Sequence, residues 1–441
     1  MKGEGRVIPA LTFYGDSFTG STDALEALAS NGVASVLFLD MPDAARLKEF
    51  SHAAAIGVAG ESRKRSPEWM SSHLPAIFKK LRAMKAPICQ YKIGATFDSG
   101  PRVGSIGRAL EIGKEVFGAA FVPIVPAAPH LKRYVLFSNL FAGAEEGIHR
   151  IDRHPMMSRH PATPMDESDL RLHLAKQTAG KLKSFDMLAL SSLDADSHLD
   201  ALLEDNPAGV IFDGASREAL RKTAEMIWKR RPEACFVVGS SGFTHGMAVY
   251  WRGSGLVKMA YDFSDPGPVD RLIVMASSVS GVTERQICWA LAHGFEGIHI
   301  DAAALCDGES AEAARGALLK LALRHLKAGK SVVLHRAPWP AGGKDTARQE
   351  ELGVQLGKLL RELLAQSGVK RAVVAGAEVA SHAARELGIY ALTMLAPIAP
   401  GAPLCRAYGG EGGSNGLELV FKGGHIGAKD FFGAVRVGRS G

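Results

Sequence analysis

Cysteine is sparse in this chain, and its spacing serves none of the usual structural uses. The five thiols, Cys89, Cys235, Cys288, Cys306 and Cys405, are odd in number, far apart and free of any C-x-x-C pair. That excludes a disulfide framework and a zinc ribbon, and fits buried thiols in a reducing compartment. No apolar run approaches the ~18 residues needed to span a bilayer, and the start lacks a charged-then-apolar leader with a small-residue cleavage site. A cytoplasmic protein without membrane partners is therefore expected. Charge of one sign is not concentrated either. The 52 basic residues face 46 acidic ones, and the basic clusters, such as Arg63-Lys64-Arg65 and Lys229-Arg230-Arg231, are short. A net charge of +6 spread in this way suits anionic metabolites better than nucleic acid. Also missing are the G-x-x-x-x-G-K-[ST] phosphate loop and a G-x-G-x-x-G turn after the first strand, which weakens both standard nucleotide-fold assignments. His149, His154 and His160 lie five and six residues apart and do not share one helix face, so no metal site is assigned to them.

What is present is the pattern of a large folded enzyme. At 441 residues the chain exceeds the size of a single growing core, and its 49 glycines imply many tight turns. Apolar runs of strand length alternate with helix-length segments: Leu11-Thr12-Phe13-Tyr14, Val36-Leu37-Phe38-Leu39, Ile88-Cys89-Gln90-Tyr91, Phe121 to Val125 and Val210-Ile211-Phe212. Runs without in/out alternation are strands buried on both faces, as in parallel sheets wrapped by helices. The rhythm resumes after Arg231 with Phe236-Val237-Val238, Leu272 to Met275, Ile298-His299-Ile300, Val332-Val333-Leu334 and Ala372-Val373-Val374. The predicted fold class is α/β, with two domains, 1–230 and 231–441, each a mainly parallel sheet flanked by helices. The site is expected in the interdomain cleft. Residues 133–164, rich in His, Arg, Pro and Met, read as an inserted loop or hairpin. Ser66-Pro67-Glu68 marks a helix start, and Thr283-Glu284-Arg285-Gln286 resembles a capping box.

In parallel sheets, ligands bind beyond the carboxyl ends of the strands, which directs attention to the polar residues there. Gly15-Asp16-Ser17-Phe18-Thr19-Gly20-Ser21 offers one carboxylate among glycines and hydroxyls, either a base or anchor for substrate or an ordinary helix cap. The loop from Lys92 through Thr96 and Asp98 to Arg108 gathers a lysine, an aspartate, hydroxyls and two arginines, the equipment for gripping a polyhydroxylated carboxylate. Further on, Gly239-Ser240-Ser241-Gly242, Gly376-Ala377-Glu378-Val379 and Lys422-Gly423-Gly424-His425-Ile426-Gly427 could each present backbone N–H groups to a phosphate.

Together these segments resemble the four-carbon acid sugar kinase family. Tyr91-Lys92-Ile93-Gly94-Ala95-Thr96-Phe97-Asp98-Ser99, followed by Gly104-Ser105-Ile106-Gly107-Arg108, is similar to the family's Y-K-I-C-S-T-F-D-S-S and G-x-I-G-R segments. Gly15 to Ser21 resembles its opening A-D-D-F-T-G-A, and Ser62-Arg63 its S-R pair. Ser278-Val279-Ser280 with Thr283 and Gln286, and Lys422 to Gly427 with Phe431-Phe432, resemble later family segments. The resemblance implies a sugar-acid-binding N-terminal domain and an ATP-binding C-terminal domain, with ATP and Mg2+ as cofactors. It implies Asp16 and Asp98 as candidate proton acceptors and Ser17, Thr19, Arg63, Lys92, Thr96 and Arg108 around the sugar acid. Ser240, Ser241, Gly376, Ala377, Glu378, Val379, Gly424 and Gly427 fall around the nucleotide. The sequence departs from the pattern at Ser17, at Val379 and at Gly423, where the family carries an aspartate, a hydroxyl and a serine. The alternative is a non-catalytic binder of sugar acids with an altered nucleotide site. A nicotinamide-dependent oxidoreductase lacks its glycine fingerprint. A homodimer is compatible with the sequence but not dictated by it.

Overall fold

The computed structural model describes residues 8–144, 146–257, 263, 265–337, 346–409 and 414–439. The chain divides into two compact units, Met1–Tyr261 and Asp262–Gly441. Among the described residues, no helix is long and apolar enough to cross a membrane.

The first unit is built on eight strands: β1 (Leu11–Gly15), β2 (Ser35–Phe38), β3 (Ala55–Val58), β4 (Ile88–Lys92), β5 (Val122–Val125), β9 (Leu182–Phe185), β10 (Gly209–Phe212) and β11 (Phe236–Gly239). Their order is β2-β3-β1-β4-β11-β5-β10-β9, and every pairing is parallel. All but β9 are buried along their full length, which is why they carry apolar runs without alternation. From β1 the chain crosses to β2, returns through β3 between them, and then passes to β4 on the other side of β1, where the remaining strands follow. The carboxyl ends of β1 and β4 therefore flank the switch point, where such sheets open a crevice. Phe236-Val237-Val238, read in the sequence as opening the second set of strands, is instead the strand that fits between β4 and β5 of the first.

The segment 133–164 folds largely as a small antiparallel sheet of β6 (Arg133–Leu136), β7 (Asn139–Ala144) and β8 (Gly147–Arg150). Phe137 (φ 49°) and Ser138 (φ 62°) form its first turn in left-handed backbone that neither side chain favours. Asp213 holds the turn from outside: its carboxylate accepts the N–H groups of Phe137 (2.5 Å), Ser138 (2.9 Å) and Met187 (3.0 Å).

Among its described residues the second unit has seven strands: β12 (Ile273–Ala276), β13 (Phe295–Ile300), β14 (Ser331–Arg336), β15 (Arg371–Ala375), β16 (Ile389–Ala399), β17 (Ala402–Gly409) and β18 (Glu418–Lys422). Their order is β13-β14-β12-β15-β18-β17-β16, parallel through β18 and antiparallel beyond it. Val274, Val333, Val373 and Val420 from the parallel strands pack with Phe431, Phe432 and Val435 of the last helix into one core. Helix starts follow local chemistry. Ser66 accepts the N–H of Trp69 (3.3 Å) ahead of Pro67, as its sequence implies. The capping box expected at Thr283 is displaced, because Ser280 caps that helix and accepts the N–H of Thr283 (3.2 Å). Thr283 and Gln286 face a neighbouring loop instead.

Candidate functional site

In the first unit the ends of β1, β3 and β4 bring three sequence candidates into direct contact. Arg63, in the single turn Ser62–Lys64 after β3, donates from Nε and Nη2 to the two oxygens of Asp16 (3.0 and 2.8 Å). This bidentate fork fixes both groups. Its remaining nitrogen, Nη1, lies 3.9 Å from Asp98 Oδ2, and Asp98 Oδ1 accepts from Thr96 Oγ1 (2.5 Å). Burial works against the Arg63 cation, but the Asp16 and Asp98 carboxylates outweigh it and hold its pKa above the ordinary arginine value. The loop has glycine where the guanidinium passes, since a Cβ on Gly94 would lie 2.6 Å from Arg63 Nη2. Ser17 stands at the start of the helix Phe18–Ala29 without capping it, and its buried hydroxyl has no partner. Thr19 lies in the first turn of the same helix, half-buried.

Lys92 is placed differently from the expectation of a substrate grip. It is buried and donates to Asp23 (2.8 Å), a residue of the helix Phe18–Ala29 that sequence reasoning missed. Burial alone would raise the Asp23 pKa, but Lys92 foremost, then His130 and Ser241, hold it below the usual carboxylate value. Beside this pair, His130 lies 3.3 Å from Ser241 Oγ and its ring meets that of His245 at 4.3 Å. Burial lowers the His130 pKa, with Asp23 opposing. Arg108 stands apart from these contacts: it donates to Ser71 (2.9 Å) and Glu111 (2.8 Å) along the helix surface. Ser240 and Ser241, grouped in the sequence with the nucleotide residues, stand at the end of β11 in the first unit. Ser240 donates to Ala127 O (2.8 Å) and caps the helix Ser241–Ser254.

The other nucleotide candidates converge in the second unit, beyond the adjacent strands β12, β15 and β18. Gly376 (φ 146°) ends β15 and starts the helix Ala377–Glu386 without a capping side chain, and a Cβ there would fall 2.1 Å from Ser277 Oγ. Ala377 is exposed, Val379 is buried, and the side chain of Glu378 lies outside the described residues. Gly424 approaches the serines after β12, and its carbonyl accepts from Ser280 (2.5 Å) and Thr283 (3.0 Å). Gln286 gathers the carbonyls of Ile426, Gly427 and Ala428 at 2.9 to 3.1 Å. The β12 end and the β18 loop are thereby tied together around a glycine-lined turn.

Two family models match this layout: a sugar-binding N-terminal domain over residues 11–247 and a nucleotide-binding C-terminal domain over residues 273–432. The chain is similar to a 3-oxo-isoapionate kinase of Paraburkholderia graminis, at 41% identity over 97% of this chain and 94% of the relative. It is also similar to a 3-oxo-tetronate kinase of Cupriavidus necator, at 30% identity over 96% of each. Among solved structures, a Salmonella typhimurium LT2 protein shares the fold with a TM-score of 0.77, at 23% identity over 97% of this chain and 98% of that one.

Proposed function

Because the chain belongs to the four-carbon acid sugar kinase family, we propose that it is an ATP-dependent kinase that phosphorylates a hydroxyl of a small oxidised sugar acid. The observation that carries this reading is the Asp16–Arg63–Asp98 constellation at the switch point of the sugar-binding half. Phosphoryl transfer asks a protein mainly for positioning and charge neutralisation, with a carboxylate to take the hydroxyl proton. Asp16 spends both oxygens on Arg63, whereas Asp98 keeps Oδ2 3.9 Å from the nearest guanidinium nitrogen. Asp98 is thus the proton acceptor on this reading, and Asp16 orients Arg63 so that Nη1 faces the substrate's carboxylate. Ser17 contributes its unpaired hydroxyl. Ser241, beside His130, belongs with the sugar acid, while Gly376, Gly424 and Gly427 belong with the nucleotide. Magnesium, carried in with ATP, would neutralise the charge that gathers on the phosphates during transfer. Among the described residues no three His, Cys, Asp or Glu side chains cluster to hold a metal.

The relatives named for 3-oxo-isoapionate and 3-oxo-tetronate make 3-oxo acids the first substrates to test. An ADP-release assay with MgATP should give its highest kcat/KM on one of these and far lower values on threonate and erythronate. One observation favours the second reading, a non-catalytic binder: Val379 is buried where the family carries a hydroxyl. Calorimetric binding of a 3-oxo acid without ADP formation from any acid would select it and defeat the kinase.

A further inference from the structure

Lys422 is an unusual lysine. It ends β18 fully buried, in register opposite Ala375 of β15, and its carbonyl accepts the N–H of Gly376 (3.0 Å). Among the described residues its ammonium has one hydrogen-bond partner, the Thr283 hydroxyl at a long 3.4 Å, and it lies 5.6 Å from the Phe431 ring centroid. No carboxylate among the described residues approaches it, and burial alone lowers its pKa, to about 7. An ammonium removed from water without an anion is costly, and buried cations are normally paired. Lys92 in the first unit shows the ordinary solution, with Asp23 at 2.8 Å. Lys422 is left without that solution beside Thr283, Gly424 and the uncapped start of the helix Ala377–Glu386. The Thr283 hydroxyl beside the ammonium reaches the Gly424 carbonyl, and the Lys422 backbone is tied to Gly376 at the helix start, so a lysine, a hydroxyl, glycines and a helix N-terminus meet in one loop cluster, the kinds of group that accept a phosphate.

We propose that Lys422 is the phosphate ligand of the second unit, its missing counter-ion being the phosphate chain of the bound nucleotide. This rests on the kinase reading above and adds a residue to it. A structural lysine and a ligand-binding one respond oppositely to Lys422→Met. Removing a buried, unpaired cation should raise the melting temperature of the ligand-free protein, while binding of anions should suffer.

The test is calorimetric titration of the full chain with MgATP and with adenosine, alongside thermal melts. Lys422→Met should melt higher than the parent, bind MgATP at least about tenfold more weakly, and bind adenosine unchanged. Lys422→Arg, which keeps the charge, should recover part of the MgATP affinity. Equal MgATP affinity in Lys422→Met and the parent would overturn the inference and leave the kinase reading standing. A lower melting temperature with equal losses for MgATP and adenosine would make Lys422 structural. A parent chain that binds no MgATP at all would remove the nucleotide reading and this inference together.

Discussion

Asp16 and Asp98 are indistinguishable on paper: each follows a strand, stands among glycines and hydroxyls, and matches a family segment. Distance separates them, because Arg63 saturates one carboxylate and only brushes the other. The two should fail differently. Asp98→Asn removes the proton acceptor and should lower kcat by about 10²- to 10⁴-fold with little change in the KM for the acid. Asp16→Asn should loosen Arg63 and raise that KM foremost. Steady-state kinetics on a 3-oxo acid checks both, and a full kcat in Asp98→Asn would remove it from the chemistry. Asp23 and His130 were not legible at all. Asp23 lies just beyond the Gly15–Ser21 segment, outside the matched residues, and only the pairing of β1 with β4 brings Lys92 within reach of it. Lys92 and Arg108 look alike as cations for substrate, yet one is already paired inside and the other lies along a surface.

At the scale of elements, most of the parallel strands were plain in the sequence because burial on both faces writes an uninterrupted apolar run. β9 and β16 escaped notice for the opposite reason. β9 is an edge strand with three half-buried residues, and β16 alternates buried with less buried positions. The capping box was misplaced because Thr283 and Gln286 satisfy carbonyls of another loop, a use that spacing alone does not distinguish from a cap. The turn Phe137–Ser138 is the element most open to improvement. Both residues hold positive φ without being glycine or asparagine, and Phe137 is exposed. Phe137→Asn should therefore raise stability by about 0.5–1 kcal/mol. A urea midpoint no higher than the parent's would show that the ring contributes more than the backbone strain costs.

For the molecule as a whole, one buried and one half-buried histidine predict how it responds to acid. His173 is pushed down to about 4 by burial, helped by Lys176, and His245 to about 4 by burial, helped by His130. In the unfolded chain both titrate near the ordinary histidine value of about 6.5. Between those values the unfolded state holds more protons, so stability falls as pH drops from about 6.5 toward 4. The loss should reach on the order of 2 kcal/mol per histidine at pH 4.5. Chemical denaturation at pH 7 and pH 4.5 measures it, and the double variant His173→Gln, His245→Gln should show a clearly smaller drop. The two-unit α/β architecture was legible from strand rhythm, but the place where one unit gives way to the other was not. An apolar run such as Phe236 to Val238 does not record which sheet it will join.

The position of β11 also bears on how the chain comes off the ribosome. Without it, β2-β3-β1-β4 and β5-β10-β9 are two separate ribbons with no hydrogen bonds between them. The keystone is the last of the eight to be synthesised. Native closure of the first half must wait until residue 239 has left the exit tunnel, and until then two open edges stand exposed to mispairing, the interval in which a holding chaperone matters most.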